Sequence, residues 1–217
     1  MKKILKKSEE KTTLSTRRIE ALHDGVFAIV MTLLVLELKV PEASLGADIL
    51  TQFLSLLPLL LGYVVTFINL GIYWIGQQIQ HHYVVAADRI YAWINVLFLM
   101  FISLLPFTSL MLDEYPDEQL SYILYGVNLI AIGCTGYFGW CYATKFHRLT
   151  EHSISDTLIA SVKRRILVAP LISVLAILLS FFAMRLSLLL YILILPYYII
   201  PGKIDRFWKR EAVAHSH

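Results

Sequence analysis

The sequence predicts an all-α, polytopic membrane protein with six transmembrane helices. Three observations predict it. Hydrophobic residues fill 58% of the 217 positions and charged residues only 16%, a balance outside that of ordinary soluble domains. The mean hydropathy is +0.66. The apolar residues gather into six long runs separated by charged loops or Pro-Gly breaks, the pattern of successive spans. The net charge of +3 is no nucleic-acid footprint, because Lys and Arg cluster beside the apolar runs, where membrane orientation accounts for them.

Taken in order, residues 1–15 form a leader rich in Lys2, Lys3, Lys6, Lys7 and Lys11, a solvated tail by composition. It lacks the cleavage pattern of a signal peptide. The six-helix domain is expected over residues 16–202 and a basic tail over 203–217. Helix one is expected over Thr16–Leu38, ended by Val40-Pro41 because proline cannot continue a helix. Helix two spans Asp48–Gln78, with a kink at Pro58 and Asn69 at membrane depth. Helix three spans Asp88–Leu112, with Asn95 and Pro106 inside it. An acidic loop, Asp113–Glu118, leads to helix four, Glu118–Thr144, whose Gly126, Gly133, Gly136 and Gly139 permit close helix approach. A basic loop follows, then helix five over Val162–Met184, a turn at Arg185, and helix six over Leu186–Ile200, stopped by Pro201-Gly202. Lys and Arg crowd the leader, the loop after helix four and the final tail, so both termini are expected in the cytoplasm of a cell-membrane protein. Cys134 and Cys141 share one helix, a heptad apart, and read as packing residues rather than a disulfide.

Helix one carries the most information. Its uninterrupted apolar run, Gly25 to Leu36, is shorter than the roughly 20 residues a span requires. To cross, it must carry His23 and Asp24 at one end and Glu37 at the other. Ionisable groups at that depth face protein or water rather than lipid. With Ile29 at zero on the helical wheel, Leu33 lies near +40°, Leu36 near −20°, Gly25 near −40° and Thr32 near −60°, all about one stripe. Asp24 falls roughly 140° away. The stripe suits a symmetry axis; it equally suits the core of a bundle, the usual fate of apolar residues at this spacing. Arg18 lies roughly 240° from Asp24, so the two cannot simply pair along the helix.

Enzyme chemistry finds no support. His147-x-x-x-x-His152 with Asp156 nearby sits in the basic loop, without the cysteine or carboxylate geometry of a metal centre. Adjacent His81 and His82 diverge on a helix. No phosphate-binding glycine loop and no nucleophile elbow occur. No metal or cofactor is expected. The filter sequence Thr-Val-Gly-Tyr-Gly of classical potassium pores is also absent.

The segment Arg18-x-x-x-Leu22-His23-Asp24 resembles the Arg-x-x-x-Phe-Ser-Asp signature of the transmembrane protein 175 family of potassium channels, with Leu22 in place of Phe and His23 in place of Ser. The following Gly25-Val26-Phe27-Ala28-Ile29-x-x-Thr32-Leu33-Leu34-Val35-Leu36 is similar to that family's first helix. The resemblance implies a homotetramer in which the first helix lines a central pore. It implies a potassium-selective, weakly discriminating cation channel in the lipid bilayer, with monovalent cations and other copies of the chain as its partners and potassium as permeant ion. Ile29, Leu33 and Leu36 are then the pore constriction, Thr32 the selectivity residue and Glu37 part of the outer mouth. Arg18, Leu22, His23, Asp24, Trp74, His82 and Asn95 are expected to form a signature and assembly network; Trp74 alone reads equally as an interfacial aromatic anchor. The alternative is a secondary transporter that uses Asp24 as coupling carboxylate, although such carriers usually show internal repeats, and none is evident.

Overall fold

Long apolar stretches broken by polar loops fold here into a bundle of helices. The computed structural model describes residues 15–38, 48–150 and 154–200. The expected tails (apart from Ser15), the Val40-Pro41 stop, His152 and Pro201-Gly202 lie outside those residues.

Helix α1 runs Thr16–Leu33 and tightens into a 3₁₀ turn at Leu34–Glu37, short of the expected end at Leu38. The expected second helix is in fact two. A short α2, Ile49–Ser55, breaks at Leu56, and α3 runs Leu57–Tyr83 with Pro58 in its first turn. Proline is well placed there, because the N–H it lacks has no intrahelical partner anyway. Helix α4, Arg89–Glu114, is capped by Asp88, whose Oδ1 accepts the Tyr91 N–H at 2.9 Å. Helix α5 covers Gln119–Thr144 and is followed by a 3₁₀ turn at Lys145–His147, where Phe146 and His147 adopt φ of 55° and 50°. Helix α6, Asp156–Ser180, starts earlier than the expected Val162 because Ser155 caps it, accepting the Leu158 N–H at 3.3 Å. Asp156 then adds an acid at the positive end of the helix dipole. Helix α7 is Met184–Ile199.

Among the described residues, four helical stretches are long and apolar enough to cross a membrane: Thr16–Glu37, Leu57–Tyr83, Arg89–Glu114 and Gln119–His147. The other two rods match the expected segments in order but not in character. Helix α6 carries Asp156, Lys163, Arg164 and Arg165 in its first turns, and α7 has only 16 residues, against the roughly 20 of a typical span.

The core sits where α1, α3, α4, α5, α6 and α7 converge on Phe27, Leu70, Phe98, Ile102, Leu129, Ala169 and Tyr191. Close approach of α5 to α6 depends on missing side chains. A Cβ at Gly126 would lie 2.6 Å from Ile177 Cγ1, and one at Gly133 would collide with the Pro170 ring. Several buried polar groups are paired across helices, which lowers the cost of a polar atom in a membrane interior: Asn69 Nδ2 donates to the Tyr125 hydroxyl at 3.0 Å, the Tyr191 hydroxyl to Tyr122 O at 2.9 Å, and the Thr66 and Ser109 hydroxyls bond each other.

One end of the bundle is basic, carrying Arg17, Arg18, Lys145, Arg148, Lys163, Arg164 and Arg165. There the loop after α3 docks on the loop after α5, with the Val85 N–H donating to Leu149 O at 2.9 Å. Asp88 Oδ2 accepts the Tyr142 hydroxyl at 2.6 Å and pairs with Arg148 at 3.2 Å. Its carboxyl is held below its ordinary value: burial works the other way, and the hydrogen bonds from Tyr142 and the Tyr91 N–H, with the Arg148 charge, outweigh it.

Candidate functional site

Among the described residues, helix α1 packs mainly against α3 and α4. Its buried residues, Ile19, His23, Phe27, Val30 and Leu34, recur at helical spacing and form a single face. The opposite face is bare. Ile29 is 58% exposed, Leu33 52% and Leu36 70%, whereas Phe27 is 1% exposed. The apolar stripe is therefore not part of the described core; it is the part of α1 that the described residues leave uncovered. Gly25 and Thr32 are exposed with it. Leu22, 47% exposed, lies roughly 20° from Ile29 on the wheel and extends the stripe toward the basic end.

The Thr32 hydroxyl donates to Ala28 O at 2.8 Å and to Ile29 O at 2.9 Å. That proton points into the helix, a common arrangement for helical threonine. The oxygen's acceptor side is left toward the exposed stripe.

Asp24 anchors α1 to α3. Its Oδ1 accepts both the Trp74 indole N–H and a Gln78 amide N–H, each at 2.9 Å. Trp74 and Gln78 are one turn apart on α3, so a single helical face presents both donors. Next to this contact lies a buried imidazole pair. His23 Nδ1 bonds Ile19 O at 3.0 Å, and His81 Nε2 meets Asn95 Oδ1 at 3.4 Å. Both acceptors lack protons, so each bond fixes its ring's tautomer: His23 carries its proton on Nδ1, His81 on Nε2. The two rings meet edge to face with centroids 4.5 Å apart, and Phe98 stacks on His23 at 5.8 Å. Asn95 is itself oriented by donating to Tyr91 O at 2.8 Å.

The structure thus brings together His23, Asp24, Trp74 and Asn95 from the expected network, and adds Gln78 and His81. It does not place His82 with them. His82 is exposed and packs against the Tyr83 ring at 5.0 Å, because a helix turns consecutive side chains about 100° apart. Arg18 is exposed in the first turns of α1. At the other end, Glu37 lines a small cavity of about 10 Å³ together with Asp113, Thr66 and Ser109. The Asp113 carboxylate sits directly over Gly62, which has no side chain to exclude it. Among the described residues, no three His, Cys, Asp or Glu side chains gather as a metal site would need.

A bundle of long apolar helices, with its first helix fastened by one polar face and bare along an apolar one, defines an integral membrane protein built to assemble. Residues 18–106 match the family described as endosomal/lysosomal potassium channel TMEM175. A potassium channel of Chamaesiphon minutus is 30% identical over 177 residues, covering 79% of this chain and 87% of that protein. One from Streptomyces collinus is 32% identical over 138 residues, covering 62% of this chain and 67% of that protein. The crystal structure of a lysosomal potassium-selective channel TMEM175 homolog from Chamaesiphon minutus superposes with a TM-score of 0.75 at 27% identity, covering 85% of this chain and 96% of that one. The chain belongs to the TMEM175 family.

Proposed function

We propose that the chain is a potassium channel of the cell membrane, a homotetramer in which four copies of α1 surround the conduction path. The observation that carries this reading is the two-faced α1, buried on His23, Phe27 and Val30 and bare along Ile29, Thr32, Leu33 and Leu36. A bare apolar stripe next to a polar anchor is what a helix on a symmetry axis presents. Relatives named as potassium channels support the permeant ion. Six spans, with α6 and α7 completing the bundle, put both termini on the basic side, which the positive-inside rule assigns to the cytoplasm.

In this reading rings of Ile29, Leu33 and Leu36 form an apolar constriction that excludes water when narrow. A bare cation in such a ring faces a large desolvation cost. Thr32, about one turn from Ile29, supplies hydroxyl oxygens to a partly dehydrated ion. Potassium sheds water more readily than sodium, so weak oxygen ligands give modest preference for it. Glu37, with Asp113 beside it, raises the local cation concentration at the outer mouth. Asp24 is a structural anchor here, its accepting oxygen engaged by Trp74 and Gln78, and not a coupling carboxylate.

The test is recording from purified protein in a planar bilayer under a potassium gradient. Unitary current steps are expected; a carrier gives none. In the Ile29→Asn variant the ring wets, and current is expected to rise with reduced potassium preference. Assembled Ile29→Asn protein with no gain in current would remove Ile29 from the path.

A further inference from the structure

Away from α1, the bundle holds a partly open cavity of about 430 Å³ walled by α3, α4, α5, α6 and α7. It exists because α3 leans mainly on α4 and α7, and because Gly76 in the α3 wall carries no side chain. A Cβ built there would meet nothing within 4 Å.

The lining is sorted along its length. Ile72, Ile132 and Phe98 line the deep end, where the Tyr73 hydroxyl adds a polar atom. Gln80, Arg165 and Tyr198 line the end toward the basic surface. Ile72 and Gln80 are eight residues apart on one helix, so the cavity runs about 12 Å along the bundle axis. Arg165 is held in place at the mouth. Its guanidinium donates to Tyr198 O at 2.7 Å and lies over the Tyr198 ring at 5.6 Å, while the Tyr198 hydroxyl donates back to Arg165 O. Lys163 and Arg164 precede it in the chain.

Water is a poor occupant of the deep end, where few polar partners exist to hold it. An empty void of this size forfeits the dispersion contacts of every wall. An alkyl chain suits the apolar length, and a phosphate suits a guanidinium fork at its mouth. Depth matches as well, since the polar end lies level with the C-termini of α3 and α7, where headgroups begin. We propose that this cavity is a lipid site within each subunit: one acyl chain of an anionic phospholipid fills the apolar length, and its phosphate docks on Arg165.

The experiment is native mass spectrometry of the full chain in mild detergent, supplied with phosphatidylglycerol or with phosphatidylcholine of the same acyl composition. Wild type is expected to retain one phosphatidylglycerol per chain and to prefer it about tenfold over phosphatidylcholine, the scale of one or two charge-assisted hydrogen bonds. Gly76→Phe fills the cavity and is expected to abolish retention of both lipids; Gly76→Leu serves if the larger residue prevents assembly. Arg165→Gln is expected to retain lipid but to bring the preference close to parity. Equal retention by wild type and both Gly76 variants overturns the proposal, as does wild-type indifference to headgroup charge. Retention that rises when residues 203–217 are removed would assign the cavity to the chain's own tail and overturn it too. None of these outcomes depends on whether the protein conducts.

Discussion

Asp24 fastens α1 to α3 through one carboxylate oxygen that takes two donors. Hydrogen bonds to a charged group contribute about 1.5–3 kcal/mol each when well made, and leaving their partners unpaired costs a similar amount. Asp24→Ala is therefore expected to lower the melting temperature and the yield of assembled protein on size-exclusion chromatography. Asp24→Asn keeps an oxygen for Trp74 and Gln78 and should retain most of both. Parity between Asp24→Ala and wild type would mean that the anchor contributes nothing. Thr32 is tested by Thr32→Val, which keeps the shape and removes the oxygen. Reversal potentials under opposed potassium and sodium gradients should shift toward equal permeability, and no shift would place selectivity elsewhere. At this scale the sequence was partly legible. An ionisable group in an apolar helix must find a partner, which singles out Asp24, whereas Trp74 follows only from the family resemblance. Helical phase carries the network further along α3. Gln78 is one turn beyond Trp74, and His81 is seven residues on, back within roughly 20° of Trp74's direction, whereas His82 is turned away by most of a right angle.

Among the elements, α1 and α5 show opposite uses of a helix face. The bare stripe on α1 was legible as a stripe from its 3.6-residue period, but periodicity alone could not separate a bundle core from a face left for other copies. Burial in the folded chain shows only that the stripe is not the subunit's own core, because α3 and α4 pack mainly on the His23–Phe27–Val30 side. The glycines of α5 were legible as close-packing positions, though not equally so: Gly126 and Gly133 face immediate neighbours, while a Cβ at Gly136 would have ordinary contacts, Phe98 at 3.6 Å being nearest. Gly133→Leu is accordingly expected to separate α5 from Pro170 on α6 and destabilise the protein by about 1–3 kcal/mol, as overpacked cores are, while Gly136→Ala stays near wild type. Thermal melts of the two purified variants check this; similar melts for both would mean that the α5–α6 contact gives way without cost. The break at Leu56 and the early start of α6 are not visible in the hydrophobic pattern: Pro58 fits the first turn of a helix as well as a kink, and the Ser155 cap lies inside a basic stretch that carries no apolar period.

For the whole molecule, the basic end is tied by Asp88, which caps α4 and reaches Tyr142 of α5 and Arg148 beyond it. Its carboxyl is held below its ordinary value of 3.8. A carboxyl depressed on folding contributes stability that is full above that ordinary value and is lost as pH falls through the folded-state value. Asp88→Asn keeps the cap but loses the charge that pairs with Arg148 and accepts from Tyr142; it is expected to melt lower than wild type at neutral pH, by up to about 1 kcal/mol, and the two melting temperatures should converge as pH falls below about 4. A gap that persists in acid would assign the effect to packing instead. The opposite end of α1 has a consequence of its own. From Leu34 to Glu37 the backbone winds as a 3₁₀ helix, turning about 120° per residue so that side chains three apart eclipse. Leu36 therefore stands directly above Leu33 instead of stepping round from it, at a rise of about 6 Å. In a pore lined by α1, the two leucine tiers form one straight apolar sleeve with no hydroxyl between them. An ion leaving Thr32 has to clear both tiers in a single dry passage, so spreading one tier while the other stays closed gains no current.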